Sequence, residues 1–528
     1  MRIGIDVGGT NTDVVLVDGQ RVVDSLKVPT QPDVTTGIVS VLKQLHERNG
    51  YRTDAVDAIM IGTTHFINAL IERRRLAPSA AIRLGLPATA ALPPMVEWPE
   101  SLVEAICGTP YLCHGGNEYD GRVITRVDRD ELRRVVDDIV AKELRCVAVT
   151  SVFSPVTAEA EAEAAAIIAE HAPHLLISQS HEIGRIGLLE RENATIINAA
   201  LSELAIDIVR GLRTAISGLG YSAALYLSQN DGTLMDIEYA RRFPVSTFAS
   251  GPTNSMRGAA LLSGLSDCAV VDVGGTTSDI GILQGGFPRE SNVDVTVAGV
   301  RTNFRMPDVL SVGIGGGSIV GTDPSGGPDV GPQSVGHEIT ERALVFGGEV
   351  LTATDVAVAK GWSDLGDPER VSHLSQEYVD QILDRIVERI AEGVDRMRVS
   401  ARALPLVAVG GGSILLPAEL PGLGEVVHLE HHAVANAVGA ALGMISGEVD
   451  RVFSVPAGQR ESLLDEAKQE AVDRAVRAGA VPATVEVVDV DEVPLAYLPG
   501  NATRIRVRAV GELNLKHAAP VAEEGVRA

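Results

Sequence analysis

Two short segments of the chain share one arrangement of residues. Residues 3–17 read IGIDVGGTNTDVVLV and residues 269–283 read AVVDVGGTTSDIGIL. In each, an apolar run ends on an aspartate, Asp6 or Asp272. An apolar residue, Gly-Gly-Thr and a second aspartate, Asp13 or Asp279, follow. Paired glycines let the backbone turn tightly between two strands. Successive N–H groups in such a turn point into one concavity that can hold phosphate oxygens. Gly8, Gly9, Thr10, Asn11 and Thr12 supply donors in the first copy, and Gly274, Gly275, Thr276 and Thr277 in the second. The leading carboxylates suit water-mediated Mg²⁺ binding or orientation of a nucleophile. Asp6 and Asp272 are therefore candidate metal and catalytic residues; the alternative is that both cap turns. One copy alone reads as an ordinary hairpin. Two matched copies argue for two related halves that clamp a phosphate chain from opposite sides.

Further candidates lie between and beyond the hairpins. A buried apolar strand, LVAV, runs into Gly410, Gly411 and Gly412, where a ring or sugar can approach the backbone; a structural turn is the alternative. Gly315 and Gly316, in GIGGGS, either close over the phosphates or form a plain loop. Thr63, Thr64 and Asn68 stand at a strand-to-helix junction and face a substrate, unless Thr64 only caps the helix. Asp231 and Ser250 form a candidate polar pair, with a turn aspartate as the alternative. Cys107, Cys113 and His114 lack a fourth zinc ligand at suitable spacing and read as ordinary thiols beside a histidine. His65, His114 and His181 fit no readable triad and carry no role. No G-x-x-x-x-G-K-[ST] is present. The glycines lead into strands, not helices, so the dinucleotide fingerprint fails as well.

The elements that must position these residues alternate. Strands are expected at 3–7, 13–17, 21–28, 58–61, 147–152 and 223–227, and helices at 33–48, 132–144, 158–171 and 192–217. Such alternation indicates an α/β class. A small-residue helix is expected at 435–445, and a helix at 461–479 with strands at 484–490 and 504–510 makes a small C-terminal α/β appendage. The 528 residues allow about two to four domains. A net charge of −25 repels phosphodiester backbones, which excludes nucleic acid as a partner without excluding a nucleotide. Four unpaired cysteines and an N-terminus without a signal peptide suit the cytoplasm, and no apolar window reaches transmembrane length.

The two hairpins and the later glycine strand, in this order, resemble the actin/hexokinase/Hsp70 ATPase superfamily. The resemblance implies duplicated actin-like, ribonuclease H-like domains around an interdomain cleft for ATP and Mg²⁺. The expected division is 1–190, 191–449 and a small region 450–528. A narrower match is to the hydantoinase/oxoprolinase family. Its carriers are GTTHFINALIER at 62–73, SQNDGTLM at 228–235, Ser250-Gly251-Pro252, Arg301-Thr302-Asn303 and GIGGGS at 313–318. PLAYLPGN at 494–501 looks like a short subgroup of that family. The family implies ATP-dependent activation of a cyclic amide (hydantoin, lactam or oxoproline-like) for ring opening. Larger members carry a longer C-terminal region and a cysteine-rich stretch where this chain reads GHEIT at 336–340, which implies a separate partner subunit. A carboxylase subunit acting on bicarbonate or an enol, a small-molecule kinase and a non-enzymatic ATP switch are the alternative readings.

Overall fold

The computed structural model describes residues 1–31, 33–291, 295–324, 326–399, 404–420, 422–455, 458–495 and 501–515. The motif at 494–501 falls largely outside the described residues. Strands β1 (Arg2–Val7), β2 (Asn11–Asp18) and β3 (Arg21–Pro29) form an antiparallel meander, and β4 (Ala58–Thr63) pairs with β1 in parallel. The near-continuous apolar runs of β1, β2 and β4 fit a sheet covered on both faces, while β3 is a half-exposed edge. Helix Val34–Asn49 starts where the Asp33 carboxylate accepts the Thr36 N–H and stops at left-handed Gly50.

A second, parallel sheet of four strands is inserted next: β5 (Ser79–Leu86), β6 (Thr109–His114), β7 (Cys146–Ser151) and β8 (Leu176–Gln179). The 31-residue helix Leu188–Gly218 then returns the chain to the first sheet, where β9 (Ala224–Ser228) pairs with β4 and β10 (Leu234–Asp236) with β9. The third sheet opens with β11 (Cys268–Val273) and β12 (Ser278–Gln284), and strand Leu406–Val409 lies parallel to β11.

The expected division needs correcting in two places. Residues 224–236, assigned to the second half, complete the first sheet. The region after 449 is not an appendage. Strand Ile445–Ser454 joins β10, strands Ala502–Gly511 and Glu486–Pro494 follow it, and the sheet reaches nine strands. The cause is burial across the seam: Ile445, Ala475 and Ala480 share one apolar cluster with Met60 and Tyr226. The expected helix at 435–445 also ends early, at Ala441, because the Gly443 backbone fits tightly against Leu234 before the strand begins.

The two halves meet through a pair of helices, Ser250–Ser263 and Ala435–Ala441. A Cβ on Gly258 would lie 1.9 Å from the Ala435 carbonyl oxygen, and one on Gly439 1.9 Å from that of Asn254. Only glycine permits this approach. Among the described residues no helix is long and apolar enough to cross a membrane.

Candidate functional site

The two glycine hairpins have the same construction. Asp6 faces Asp13 across β1 and β2, and Asp272 faces Asp279 across β11 and β12. The Gly8 N–H donates to the Asn11 carbonyl at 3.0 Å, and the Gly274 N–H to the Thr277 carbonyl at 2.9 Å. Among the described residues no acceptor takes the N–H groups of Gly9, Thr10, Gly275 or Thr276, so four donors remain for a ligand. Each leading aspartate also has a glycine beside it, Gly62 on β4 and Gly410 just past strand Leu406–Val409. A Cβ on Gly62 would lie 2.1 Å from Asp6 Oδ1, and one on Gly410 2.3 Å from Asp272 Oδ1. The duplication visible in two hairpins thus extends to a third strand in each half.

Between the hairpins lies a cleft of about 320 Å³ lined by Gly8, Gly9, Thr10, Asn11, Asp272, Gly274, Gly275, Thr276, Thr277, Gly410 and Gly411. Asp6 is buried just behind it. Enclosure pushes the Asp6 and Asp272 carboxyls up to about 6 each; donors from Asn254 and Asn436 on Asp6, and from Ser255 on Asp272, oppose the rise.

Four expected residues sit elsewhere. Thr12 is buried, with its hydroxyl 3.2 Å from that of Thr30. The Gly412 N–H donates to the Val273 carbonyl at 2.8 Å, behind the cleft. Gly315 and Gly316 lie in a loop that packs against the second hairpin. The Gly316 N–H donates to the Gly274 carbonyl at 2.9 Å, and a Cβ on Gly315 would stand 2.6 Å from the Thr276 nitrogen. That loop braces the second hairpin from behind.

Thr63, Thr64, Asn68 and Ser250 do come together, on the rim next to the first hairpin. Ser250 Oγ accepts the Thr63 N–H at 3.2 Å and donates to the Thr63 carbonyl at 3.1 Å. Asn68 Nδ2 donates to Thr64 Oγ1 at 3.3 Å. Thr64 occupies the N-cap position, but its side chain makes no cap bond. Asp231 does not pair with Ser250. Its Oδ1 accepts from the Thr233 N–H and hydroxyl at 2.9 and 2.6 Å, its Oδ2 lies 3.4 Å from Arg305, and it lines a second cavity.

Sequence reasoning missed the polar residues that hold the carboxylates. Asn254 Nδ2 donates to Asp6 Oδ1 at 2.9 Å, and Asn436 Nδ2 to Asp6 Oδ2 at 3.0 Å and Asp13 Oδ2 at 2.7 Å. Lys27 Nζ lies 2.6 Å from Asp13 Oδ1, donates to the Ala433 carbonyl at 3.1 Å and lines the cleft. One signal was present: Asn436 is a single amide within an otherwise small apolar helix. Among the described residues no three His, Cys, Asp or Glu side chains are gathered for a metal. Cys113 is buried, which pushes its thiol up to about 12, and His114 faces Glu131 at 3.1 Å. Hard carboxylate oxygens beside a phosphate-sized cleft suit Mg²⁺, which keeps several waters and takes few protein ligands.

A family model described as hydantoinase/oxoprolinase N-terminal region matches residues 2–172, and one described as hydantoinase/oxoprolinase matches residues 191–362. The caprolactamase subunit alpha of Pseudomonas jessenii is 29% identical over 441 residues, 78% of this chain and 62% of that protein. The acetophenone carboxylase gamma subunit of Aromatoleum aromaticum is 27% identical over 398 residues, 68% of this chain and 53% of that protein. The chain therefore spans about half to two thirds of these curated relatives. Among solved structures, the ATP-dependent caprolactamase from Pseudomonas jessenii superposes with a TM-score of 0.79 at 20% identity, over 98% of this chain and 88% of that one. Nucleotide-free acetone carboxylase gives 0.65 at 17% identity, over 97% and 88%. The mixed α/β fold is that of these proteins.

Proposed function

The chain belongs to the hydantoinase/oxoprolinase family, and from this we propose that it binds ATP in the glycine cleft and uses it to activate a cyclic amide for ring opening. The observation that carries the reading is the pair of matched hairpins, whose free N–H groups and two carboxylates line or back one phosphate-sized cleft. Phosphoryl transfer needs positioning and charge stabilisation more than covalent chemistry from the protein. The hairpin N–H groups would hold phosphate oxygens, with Gly410 and Gly411 giving room for the nucleoside. Asp272 at the cleft wall, and Asp6 through water, would hold Mg²⁺, which neutralises phosphate charge when bound. Thr63, Thr64 and Asn68 would meet the end of the substrate nearest the phosphates, beside the first hairpin. The likeness to a caprolactamase subunit supports a lactam or related ring. A second subunit and a cytoplasmic setting complete the reading. The likeness to carboxylase proteins supports the second reading, activation of bicarbonate or an enol.

The test is ADP release by the purified chain with MgATP and hydantoins, lactams, 5-oxoproline or bicarbonate. Stimulation by one cyclic amide supports the first reading, and stimulation only by bicarbonate with a ketone the second. No ADP release with any of them, with or without a co-purified subunit, would sink both.

Lys27 gives a separate expectation. Its ammonium lines the cleft beside Asp13, where phosphate oxygens would arrive. Lys27→Met is expected to weaken MgADP binding about tenfold, which is ~1.4 kcal/mol. Lys27→Arg should recover only part of that, because a planar fork does not replace a point charge. Calorimetric titration with MgADP reads both, and unchanged affinity in Lys27→Met would remove Lys27 from the site.

A further inference from the structure

The second cavity, about 450 Å³, is lined in part by Gln229 and Asn230, which follow β9. Val7 and Thr63 are in register, and Ile61 is level with Leu227, so β1, β4 and β9 end side by side. Two strand spacings, about 10 Å, separate the first glycine turn from the turn at Gln229. One wall is apolar, with Leu234, Met235, Phe243 and Phe304 all buried. His181 also lines the cavity.

His181 is held in one orientation. Its Nδ1 lies 2.7 Å from Glu161 Oε2, and its backbone N–H donates to the same oxygen at 3.0 Å. The other oxygen, Oε1, accepts the Ser151 N–H at 2.7 Å and the Ser180 hydroxyl. Glu161 is fully buried. Burial pushes its carboxyl up, but the bonds from His181 and Ser180 outweigh it and hold the group below the usual value. An ionised Glu161 accepts only, so Nδ1 donates to it and Nε2 is the ring nitrogen that faces away from Glu161. Among the described residues Nε2 has no partner. A buried carboxylate that fixes the tautomer of a histidine on a cavity wall is the arrangement a general base needs.

We infer that this cavity takes a small cyclic amide with a free N–H, and that His181 Nε2 removes that proton as the amide is activated. The inference rests on the activation proposed above. The amide oxygen forms a bond to the γ-phosphorus while the bond from that phosphorus to the β,γ-bridging oxygen breaks and ADP leaves. The ring nitrogen loses its proton to Nε2, and its electron pair becomes the C=N bond of an O-phosphoryl imidate whose nitrogen is uncharged and whose phosphoryl group keeps its negative charge. Without a base the product would carry a proton on nitrogen and revert readily. The apolar wall packs the ring methylenes, and Glu161 stabilises the imidazolium that forms.

Two variants and two measurements test this. His181→Asn keeps an N–H donor toward Glu161 and removes Nε2. Ser246→Trp fills the cavity from its partly exposed lip. In His181→Asn, amide-stimulated ADP release should fall about 10²-fold or more in kcat, with the amide KM within about threefold and MgADP affinity unchanged. Added imidazole should restore part of the rate. In Ser246→Trp, calorimetric binding of caprolactam, valerolactam or hydantoin without nucleotide should be lost while MgADP binding stays. A wild-type kcat in His181→Asn overturns the base, and amide binding that is absent in the wild type or intact in Ser246→Trp overturns the cavity. Loss of MgADP binding by the wild-type chain would instead count against the ATP reading, since neither variant touches that cleft.

Discussion

Replacing Asp272 by alanine is expected to lower ATP turnover about 10³-fold. Asp272→Asn should be as inactive yet more stable than the parent at pH 8. Both results come from one feature. Enclosure raises the Asp272 carboxyl to about 6, against about 3.9 in an unfolded chain. The empty protein therefore binds this proton more tightly when folded. The stability that follows is fully present below about pH 4 and is lost as pH rises toward 6. At pH 8 the ionised side chain has forfeited on the order of 1–3 kcal/mol that a neutral amide would keep. MgATP reverses the preference, because a cation beside the carboxylate favours its charged form. Affinity for MgATP should thus rise with pH through about 6 and level off above it, and Asp272→Asn should lose that slope. Thermal unfolding of the empty protein at pH 5 and pH 8, with ADP release at both, reads every part of this. Full turnover in Asp272→Ala would remove the carboxylate from the chemistry.

The same aspartate shows where sequence was informative. Its apolar strand, paired glycines and repeat at Asp6 are local features, so the hairpins and the α/β class were legible. The side chains that finish the site were not, because they arrive from far along the chain. Asn254 lies 248 positions from Asp6, and Asn436 lies 430 away. Nothing near either amide encodes the carboxylate it meets. Gly315 and Gly316 were ambiguous for the opposite reason. A glycine run has one appearance whether it admits a ligand or admits another backbone, and here it admits the hairpin at Gly274 and Gly275. His181 was unreadable alone, since its partner Glu161 lies on a different element, helix Glu159–His171. The C-terminal strands read correctly as strands but not as parts of the first sheet. Alternation along a strand says which residues are buried, not which edge they bury against.

Gly439→Ala should be strongly destabilising. The new Cβ would lie 1.9 Å from the Asn254 carbonyl oxygen, which is backbone and cannot swing aside. Helix Ala435–Ala441 must then lift away from helix Ser250–Ser263. It has no room on its other side, where the Gly4 backbone of β1 already packs against Ala437 and Ala441. Overpacking of this kind costs about 1–3 kcal/mol and occasionally more. The site suffers beyond that cost, because the two helices carry Asn436 and Asn254, which grip opposite oxygens of Asp6. Separating them loosens at least one grip and leaves a buried carboxylate short of a donor. MgADP binding should therefore weaken by about tenfold or more even in the fraction that stays folded. Gly218→Ala is the matched control. It ends helix Leu188–Gly218, nothing lies within 4 Å of its Cβ position, and the substitution should leave binding unchanged and stability equal or slightly higher. Melting curves with and without MgADP separate the two. If Gly439→Ala melts and binds like the parent, the close helix crossing does not position the carboxylate. If only Gly439→Ala fails, the small residues of that helix are needed for the spacing that lets two amides reach one aspartate.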